Sequence, residues 1–342
     1  MTRTRERPVM PSHRAHPSRR AALARLLAVA AGAAVARPPS AAAATPADAT
    51  ADDGARVVAT TWLDARTADL VVDSPAVGAR VPLRLLLPAG WAGRPERTWP
   101  VLHLLHGAHD DYTSWTRETG IAGFTADKDV ITVMPSAGPT GIPSRWWDWG
   151  SADPPDYEAF AVDEVMQLLR RGYRANGVRV VAGVSTGGYG ALALAARHPG
   201  AFAAAASYSG ITYTTLVGVP EVVGAIVTRE LLDPLSLWGD PVLLRSLWQE
   251  HDPYVRAPAL RGTALYVSCG AGLVGGGLFD PSGQAMESAL WPTALAFTQR
   301  LTDLGIPART HLYPGGAHNW TYWQREFLAS WPVLAAGLGL PS

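Results

Sequence analysis

The sequence predicts an α/β protein built on a doubly wound, mostly parallel sheet. Short and continuously apolar runs, such as residues 100–105 and 130–134, are typical of parallel strands buried on both faces. Segments with helical periodicity alternate with these runs, which implies right-handed crossovers between neighbouring strands. Hydrophobic residues make up 48% and charged residues 17% of the 342-residue chain. This balance favours a large folded core and excludes an intrinsically disordered chain.

The predicted elements follow one another in a regular order. Alternating, β-branched runs at 56–62, 68–72 and 80–87 predict an antiparallel start to the sheet. Continuous apolar runs at 100–105, 130–134, 178–181, 202–208 and 263–268 predict parallel strands, and a last strand is expected at 309–313. Helices are expected at 160–174, 186–198, 290–304 and 320–338. Residues 211–260 interrupt the alternation, and a connection of this length predicts a lid-like insertion.

Residues 1–44 have the layout of a secretory signal peptide. Residues 1–20 are basic, 21–36 are apolar apart from Arg25, and 40–44 are small, with cleavage expected before Thr45. Ser18-Arg19-Arg20 resembles a twin-arginine export signal. The alternative is a disordered tail on a cytosolic protein. We expect a linker at 45–54, a single domain at 55–342 and no membrane-spanning segment, so that the mature protein is secreted.

The charge distribution argues against a nucleic-acid partner. Eight of the 29 basic residues and one of the 29 acidic residues lie within 1–44, which leaves 21 basic and 28 acidic residues beyond it. The mature chain therefore carries about −7 charges, whereas nucleic-acid-binding domains are basic. The single cysteine, Cys269, excludes an intrachain disulfide and a cysteine-based zinc cluster. Since the sequence also has no metal motif and no phosphate loop, we expect no metal and no other cofactor.

The stretch Gly183-Val184-Ser185-Thr186-Gly187 predicts a nucleophilic serine. It matches G-x-S-x-G, with an apolar strand before it and a small-residue helix after it. Glycines flank the serine because side chains there would clash across the sharp turn. In this arrangement, which is typical of the α/β-hydrolase fold, the turn raises the serine to the carboxyl edge of the sheet. The alternative is a tight glycine-serine turn without catalytic use.

The remaining catalytic groups are predicted from their positions along the chain. The backbone N–H groups of Ala108 and Thr186 are the expected oxyanion donors, since one follows an early strand and the other follows the nucleophile. His318 is the expected general base because it lies in a flexible turn late in the chain, whereas His311 lies within a predicted strand. Asp280 and Glu287 are both candidates for the acid, and loop position alone does not separate them.

Five stretches in this order resemble the esterase branch of the α/β hydrolases, and within it the secreted antigen 85-like mycolyltransferases. They are Asp110-Asp111-Tyr112 with Trp115, the elbow at 183–187, Leu237-Trp238-Gly239 with Asp252-Pro253, Ser268-Cys269-Gly270-Ala271-Gly272, and His318-Asn319-Trp320-Thr321-Tyr322-Trp323. The resemblance implies that Glu287, 31 residues before His318, is the acid rather than Asp280. It also implies that Cys269 packs behind the acid and is not a nucleophile.

The sequence also differs from the mycolyltransferases at positions that affect substrate binding. The loop between Gly107 and Asp110 is short and lacks the family's arginine, and His106 stands where the family has an aspartate. Those positions help to hold a sugar acceptor in the mycolyltransferases, so transfer to trehalose is not expected. We expect substrate contacts from His106, Asp111, Trp149 and Trp320.

The sequence therefore predicts a secreted serine esterase that cleaves acyl esters of small molecules or lipids through an acyl-enzyme. An acyltransferase that moves the acyl group to a sugar or glycerolipid alcohol would use the same residues and is the alternative. A more distant alternative is a secreted carbohydrate- or lipid-binding protein that kept the fold without the activity.

Overall fold

The computed structural model describes residues 49–273 and 280–341. The predicted signal peptide at 1–44 lies outside the described residues, as does the start of the predicted linker. No helix within the described ranges combines the length and the apolar character that crossing a bilayer requires.

One mixed sheet organises the described residues. The strands are β1 (Arg56–Trp62), β2 (Thr67–Ser74), β3 (Ala79–Leu86), β4 (Trp99–Leu105), β5 (Ile131–Pro135), β6 (Ala175–Val184), β7 (Ala204–Tyr208), β8 (Ala264–Gly270) and β9 (Ala308–Tyr313). They lie side by side in the order β1-β2-β3-β5-β4-β6-β7-β8-β9. The first three strands pair antiparallel, β3 joins β5 antiparallel, and all later pairings are parallel. The predicted fold class is confirmed.

Helices cover both faces of the sheet. They are α1 (Ser114–Glu118), α2 (Ile121–Phe124), α3 (Tyr157–Ala159), α4 (Val165–Gly172), α5 (Thr186–Arg197), α6 (Val219–Arg229), α7 (Leu235–Trp238), α8 (Arg245–Glu250), α9 (Pro253–Arg256), α10 (Pro281–Asp303) and α11 (Trp320–Leu338). A π-helical turn at Phe160–Glu164 joins α3 to α4, and 3₁₀ turns form at Asp148–Gly150 and Ala257–Leu260.

The central strands are buried on both sides, as their apolar runs predict. In β6, Val180 and Ala182 pack against Trp323, Phe327 and Trp331 of α11. The intervening Val181 points to the other face, into a cluster that includes residues of α5 and α10. Successive strand side chains alternate between faces, so a strand covered twice must be apolar at every position. The carboxyl edge of β6 is thereby held rigidly in the middle of the molecule.

The largest departure from the predicted elements is the start of α10. This helix begins at Pro281, nine residues before the predicted start at 290. Its first turn carries ordinary start signals: the Asp280 side chain accepts a hydrogen bond from the Gly283 N–H, and proline occupies the first helical position. Pro292 lies inside the helix, and an internal proline normally argues for a break there. Packing of α10 against β8 overrides that local preference.

The insertion between β7 and β8 forms short helices and supplies one wall above the sheet edge. Helix α6 buries Val219, Val223 and Val227 in a cluster shared with Tyr189 of α5. A separate cleft of about 730 Å³, lined in part by Gly177 and Gly200, opens at the opposite end of the strands. It is larger than the pocket above Ser185, but it is remote from it.

Candidate active site

Ser185 lies on the sharp turn between β6 and α5. Its backbone adopts φ 55° and ψ −121°, a left-handed conformation that is strained for a residue other than glycine. The Ser185 N–H donates to the Tyr208 carbonyl at 2.9 Å, which ties the turn to β7. The turn therefore holds the Ser185 hydroxyl above the carboxyl edge of the sheet, at the amino end of α5.

The flanking glycines are required by close backbone approach. A Cβ atom at Gly183 would lie 2.1 Å from the Gly187 carbonyl oxygen, and a Cβ at Gly187 would lie 2.4 Å from the His106 carbonyl oxygen. Neither separation is possible for real atoms, so any side chain would force β4, β6 and α5 apart. This is the physical reason for the glycine spacing seen in the sequence.

A continuous chain of hydrogen bonds links Ser185, His318 and Glu287. The His318 Nε2 atom lies 2.9 Å from the Ser185 Oγ, and its Nδ1 atom lies 2.8 Å from the Glu287 Oε1. Nδ1–H donation to the carboxylate leaves Nε2 as the acceptor for the serine hydroxyl. The ring of His318 also packs edge-on against Trp323, with ring centroids 4.9 Å apart. The other candidate base, His311, lies on the edge strand β9 and hydrogen-bonds to Glu326 of α11 instead.

Glu287 reaches His318 from a helix, not from a loop as the sequence analysis assumed. It lies in the second turn of α10 and is fully buried. Its Oε2 accepts hydrogen bonds from the Gly270 N–H at 2.6 Å and from the Cys269 thiol at 3.5 Å. Burial and the neighbouring Glu287 raise the pKa of the Cys269 thiol well above its ordinary value. A thiol that stays protonated is a poor nucleophile, so Cys269 packs behind the acid without reactivity.

Asp280 lies next to the His318 loop without contacting the imidazole. Its carboxylate accepts hydrogen bonds from the Gly283 N–H at 2.9 Å and from the Asn319 amide at 3.0 Å. The His318 N–H in turn donates to the Gly283 carbonyl. Asp280 therefore anchors the start of α10 to the His318 loop, whereas Glu287 alone receives the imidazole N–H.

The two residues predicted to supply the oxyanion donors both lie close to Ser185. Ala108 and Ser185 both line one pocket, and Thr186 is the first residue of α5. Gly141, at φ +63°, packs closely against Gly107, which precedes Ala108, and against Thr186. A Cβ atom at Gly141 would lie 2.5 Å from the Gly107 carbonyl oxygen and 2.6 Å from the Thr186 Oγ1. Within the described residues, neither the Ala108 nor the Thr186 N–H has a backbone carbonyl partner, so both donors remain available.

The predicted substrate contact of His106 is wrong. The ring is buried, with 1% of its surface exposed, and both nitrogens are already bonded inside the protein. Nδ1 donates to the Gly107 carbonyl at 2.8 Å, and Nε2 accepts from the Ala137 N–H at 3.0 Å. Burial lowers the pKa of the His106 imidazole. The ring is therefore neutral, as it must be for one nitrogen to donate a hydrogen bond and the other to accept one. Through these two bonds His106 holds the loop after β4 in its conformation.

Of the other three residues predicted to contact substrate, Asp111 and Trp149 are not among the residues that line the pocket, whereas Trp320 is. The Asp111 carboxylate folds back onto Thr113, while its neighbour Asp110 lines the pocket. Trp149 is 52% exposed and packs against Trp147, outside the pocket lining. Trp320 lines the pocket as expected. Sequence spacing could not distinguish adjacent aspartates or the outer from the inner tryptophans.

The pocket above Ser185 has a volume of about 400 Å³ and is lined by both apolar and polar side chains. The apolar lining residues are Ile211, Val222, Ile226, Met286, Leu290, Trp320 and Trp323. The polar lining residues, besides Ser185 and His318, are His109, Asp110, Arg229 and Asn319. Sequence analysis assigned no role to His109, Arg229 or Asn319, although His109 and Asn319 are the chain neighbours of Ala108 and His318. No motif pointed to Arg229. Within residues 49–273 and 280–341, no three His, Cys, Asp or Glu side chains converge on a metal-sized position.

Comparison with known proteins places the chain among esterases and acyltransferases. The sequence model of the family described as Putative esterase matches residues 74–334. An esterase of Mycobacterium tuberculosis is 30% identical over 275 residues, which cover 77% of this chain and 58% of that protein. The diacylglycerol acyltransferase/mycolyltransferase Ag85B of Mycobacterium intracellulare is 28% identical over 285 residues, covering 78% of this chain and 83% of that protein. The resemblance stated from the sequence is thus confirmed.

Solved structures share the fold. MPT51 of Mycobacterium tuberculosis superposes with a TM-score of 0.65 at 22% identity, covering 80% of this chain and all of that one. FphF of Staphylococcus aureus, a fluorophosphonate-binding serine hydrolase, superposes with a TM-score of 0.58 at 20% identity, covering 78% of this chain and 98% of that one. At these identities the likeness establishes the α/β-hydrolase fold alone.

Proposed function

This chain belongs to the Putative esterase family, and we propose that it is a serine esterase that cleaves carboxylic esters through Ser185, His318 and Glu287. The observation that carries the proposal is the unbroken hydrogen-bonded chain from the Ser185 hydroxyl to the buried Glu287 carboxylate. The hydroxyl opens into a pocket with several apolar lining residues, and the N–H groups of Ala108 and Thr186 are the proposed oxyanion donors. These are the components that acyl transfer requires.

The first half of the reaction acylates the serine. The Ser185 Oγ attacks the ester carbonyl carbon while His318 Nε2 takes the hydroxyl proton. Negative charge then develops on the carbonyl oxygen, where the N–H groups of Ala108 and Thr186 stabilise it. As the tetrahedral intermediate collapses, the carbon–oxygen bond to the alcohol breaks, and the imidazolium gives its proton to the departing alkoxide. The acyl group stays on Ser185.

The second half of the reaction regenerates the enzyme. Water loses a proton to His318 Nε2 as it attacks the acyl carbon, and the proton returns to the Ser185 Oγ when the acid is released. Throughout, Glu287 remains ionised and holds the His318 ring by its Nδ1–H, so that Nε2 always faces the serine. The Gly270 N–H and the Cys269 thiol hold the other oxygen of this buried carboxylate in place.

Transfer of the acyl group to an alcohol is the second candidate function. It is favoured by the relatives named diacylglycerol acyltransferase/mycolyltransferase, since an alcohol can replace water without any change of catalytic residue. The short loop from Gly107 to Asp110 favours hydrolysis, because it offers fewer side chains to hold a sugar acceptor. A non-catalytic binding role is disfavoured because such a protein would not need the Ser185–His318–Glu287 relay.

Export belongs to the same proposal and depends on residues 1–44, outside the described residues. Their basic, apolar and small segments follow the order of a secretory signal. Expression in an actinobacterial host, followed by mass determination of the protein in the medium, tests it. A mature chain that begins at or close to Thr45 supports export, and full-length protein confined to the cells contradicts it.

Labelling with a fluorophosphonate probe tests the enzymatic proposal. The probe phosphonylates only a serine whose hydroxyl is activated by a neighbouring base, so the wild-type protein should form one adduct, at Ser185. Ser185→Ala is the direct control, and Ser207→Ala, which changes a buried serine on the neighbouring strand, is the matched one. Folded wild-type protein without an adduct at Ser185 would contradict the proposal.

A further inference from the structure

Arg229 is a charged side chain in the pocket that the proposed mechanism does not use. It is the last residue of α6, and it follows Val222 and Ile226 at helical spacing, so that all three line the same pocket. In the part of the chain that the structure describes, its guanidinium takes part in no hydrogen bond and no ion pair. A guanidinium carries five N–H donors, and here all of them are available to a ligand.

The carboxylate next to Arg229 in the chain and the one in the pocket lining are already bound by other donors. Glu230 contacts His109 of the oxyanion loop, and Asp110 pairs with Arg117 at 2.5 Å. The His109–Glu230 contact also joins the end of α6, where Arg229 lies, to the loop that carries Ala108. Arg229 is therefore the pocket's one cationic side chain, among the described residues, that has no anionic partner in the protein.

The lining of the pocket indicates which half of an ester would meet Arg229. An acyl chain gains most by lying against Val222, Ile226 and the other apolar side chains. The alcohol half, on the other side of the scissile bond, is then left to the polar side chains, among them Arg229 at the end of α6. A planar guanidinium there matches the geometry of a carboxylate, which it can bind with two parallel hydrogen bonds.

We infer that Arg229 is a specificity-determining residue that binds a carboxylate on the alcohol half of the ester substrate. This inference rests on the proposed esterase function. It assigns to the enzyme a preference for esters of hydroxy acids over esters of neutral alcohols of the same shape.

Two matched substrates test the preference: the butyrate ester of 4-hydroxybenzoate, which is anionic, and the butyrate ester of methyl 4-hydroxybenzoate, which is neutral. The measured quantity is kcat/KM for each ester with wild-type enzyme, Arg229→Gln and Arg229→Lys. Arg256→Gln is the matched control, since Arg256 is an exposed arginine of the same insertion outside the pocket lining. Arg229 is itself exposed, so its substitution leaves the core intact.

The ratio of kcat/KM for the anionic ester to that for the neutral ester should fall about fivefold in Arg229→Gln, as expected for a partly solvated charge pair. Arg229→Lys should keep part of the preference, and Arg256→Gln should keep all of it. The difference between wild type and Arg229→Gln should shrink in about 1 M salt, which screens the attraction.

An unchanged ratio in Arg229→Gln, or an equal loss on both esters, would overturn the inference while leaving the esterase proposal intact. Failure of the proposed function has a different signature. In that case Ser185→Ala would hydrolyse the neutral ester as fast as the wild-type protein does, whatever the ratio.

Discussion

Glu287 and Gly270 are joined by a 2.6 Å hydrogen bond from the Gly270 N–H at the end of β8 to the Glu287 Oε2. The bond occupies one oxygen of a fully buried carboxylate and leaves the other for His318. A Cβ atom at Gly270 would lie 2.4 Å from the Gly315 carbonyl oxygen and 3.1 Å from the Glu287 Oε2. Only glycine allows β8, α10 and the His318 loop to approach this closely.

Ser185→Ala and His318→Ala should each lower kcat on an activated ester by at least about 10³-fold, because members of such a relay act as a unit. The measurement is steady-state hydrolysis of a 4-nitrophenyl ester, with circular dichroism to establish that each variant is folded. Near-normal turnover by either folded variant would contradict the proposed mechanism.

Glu287→Gln should lower kcat by about 10²-fold or more, because the amide cannot stabilise the imidazolium that forms on His318. Asp280→Asn should stay within about tenfold of wild type, since Asp280 bonds to Gly283 and Asn319 and not to the imidazole. Kinetics of the two variants side by side decide between the carboxylates. The reverse pattern would transfer the role of the acid to Asp280.

Gly141→Ala should lower kcat by about 10²-fold by displacing the oxyanion donors, without removing any group of the relay. The new methyl group would press on the Gly107 carbonyl and the Thr186 side chain, and φ +63° is unfavourable for alanine. Gly123→Ala is the control, since no atom lies within 4 Å of a Cβ there. Wild-type kinetics in Gly141→Ala would show that the loop tolerates the displacement or that its N–H groups do not contribute.

Glu164 should make the protein less stable as the pH rises towards 7. Its side chain is buried between Ser74 and Ala76, and burial raises the pKa of the Glu164 carboxyl from 4.5 to about 7, with neighbouring Asp53 adding to the effect. Between these values the folded protein holds a proton that the unfolded chain has lost. Unfolding then releases a proton, so the free energy of unfolding decreases with rising pH.

Urea denaturation at several pH values from 5 to 8 measures this effect. The wild-type protein should lose about 2 kcal/mol of unfolding free energy between about pH 5 and pH 7, and Glu164→Gln should lack that component because the amide does not titrate. Parallel pH profiles for the two proteins would contradict the assignment to Glu164.

Ester hydrolysis should dominate over acyl transfer to trehalose. An arginine contact to a sugar is worth around 1.5–3 kcal/mol, so a loop without one should hold a disaccharide about ten- to a hundredfold more weakly. Water then competes well for the acyl-enzyme. Mass spectrometry of the products from an acyl ester incubated with excess trehalose measures the outcome, and acyl-trehalose as the main product would make acyltransferase the better description.

The sequence by itself determined the elements whose signals are local. The strand, turn and helix around Ser185 follow from apolar residues and glycines within a few positions of one another, and α11 spans Trp320–Leu338 as its periodicity predicts. Resemblance to a family selected Glu287 over Asp280, which loop position could not do. All of these signals lie within short windows or ordered motifs, where side-chain spacing reflects the backbone directly.

The tertiary structure alone decided which side chains meet in the pocket. His106 looked available in the sequence but is buried and fully bonded, and Arg229 carried no signal yet lines the pocket. The Ser185–His318 and His109–Glu230 contacts join residues 133 and 121 positions apart. Such contacts depend on how β4, β6, α6 and α11 pack around one another. No local pattern encodes that packing, because a buried position and an open one can have the same residues on either side.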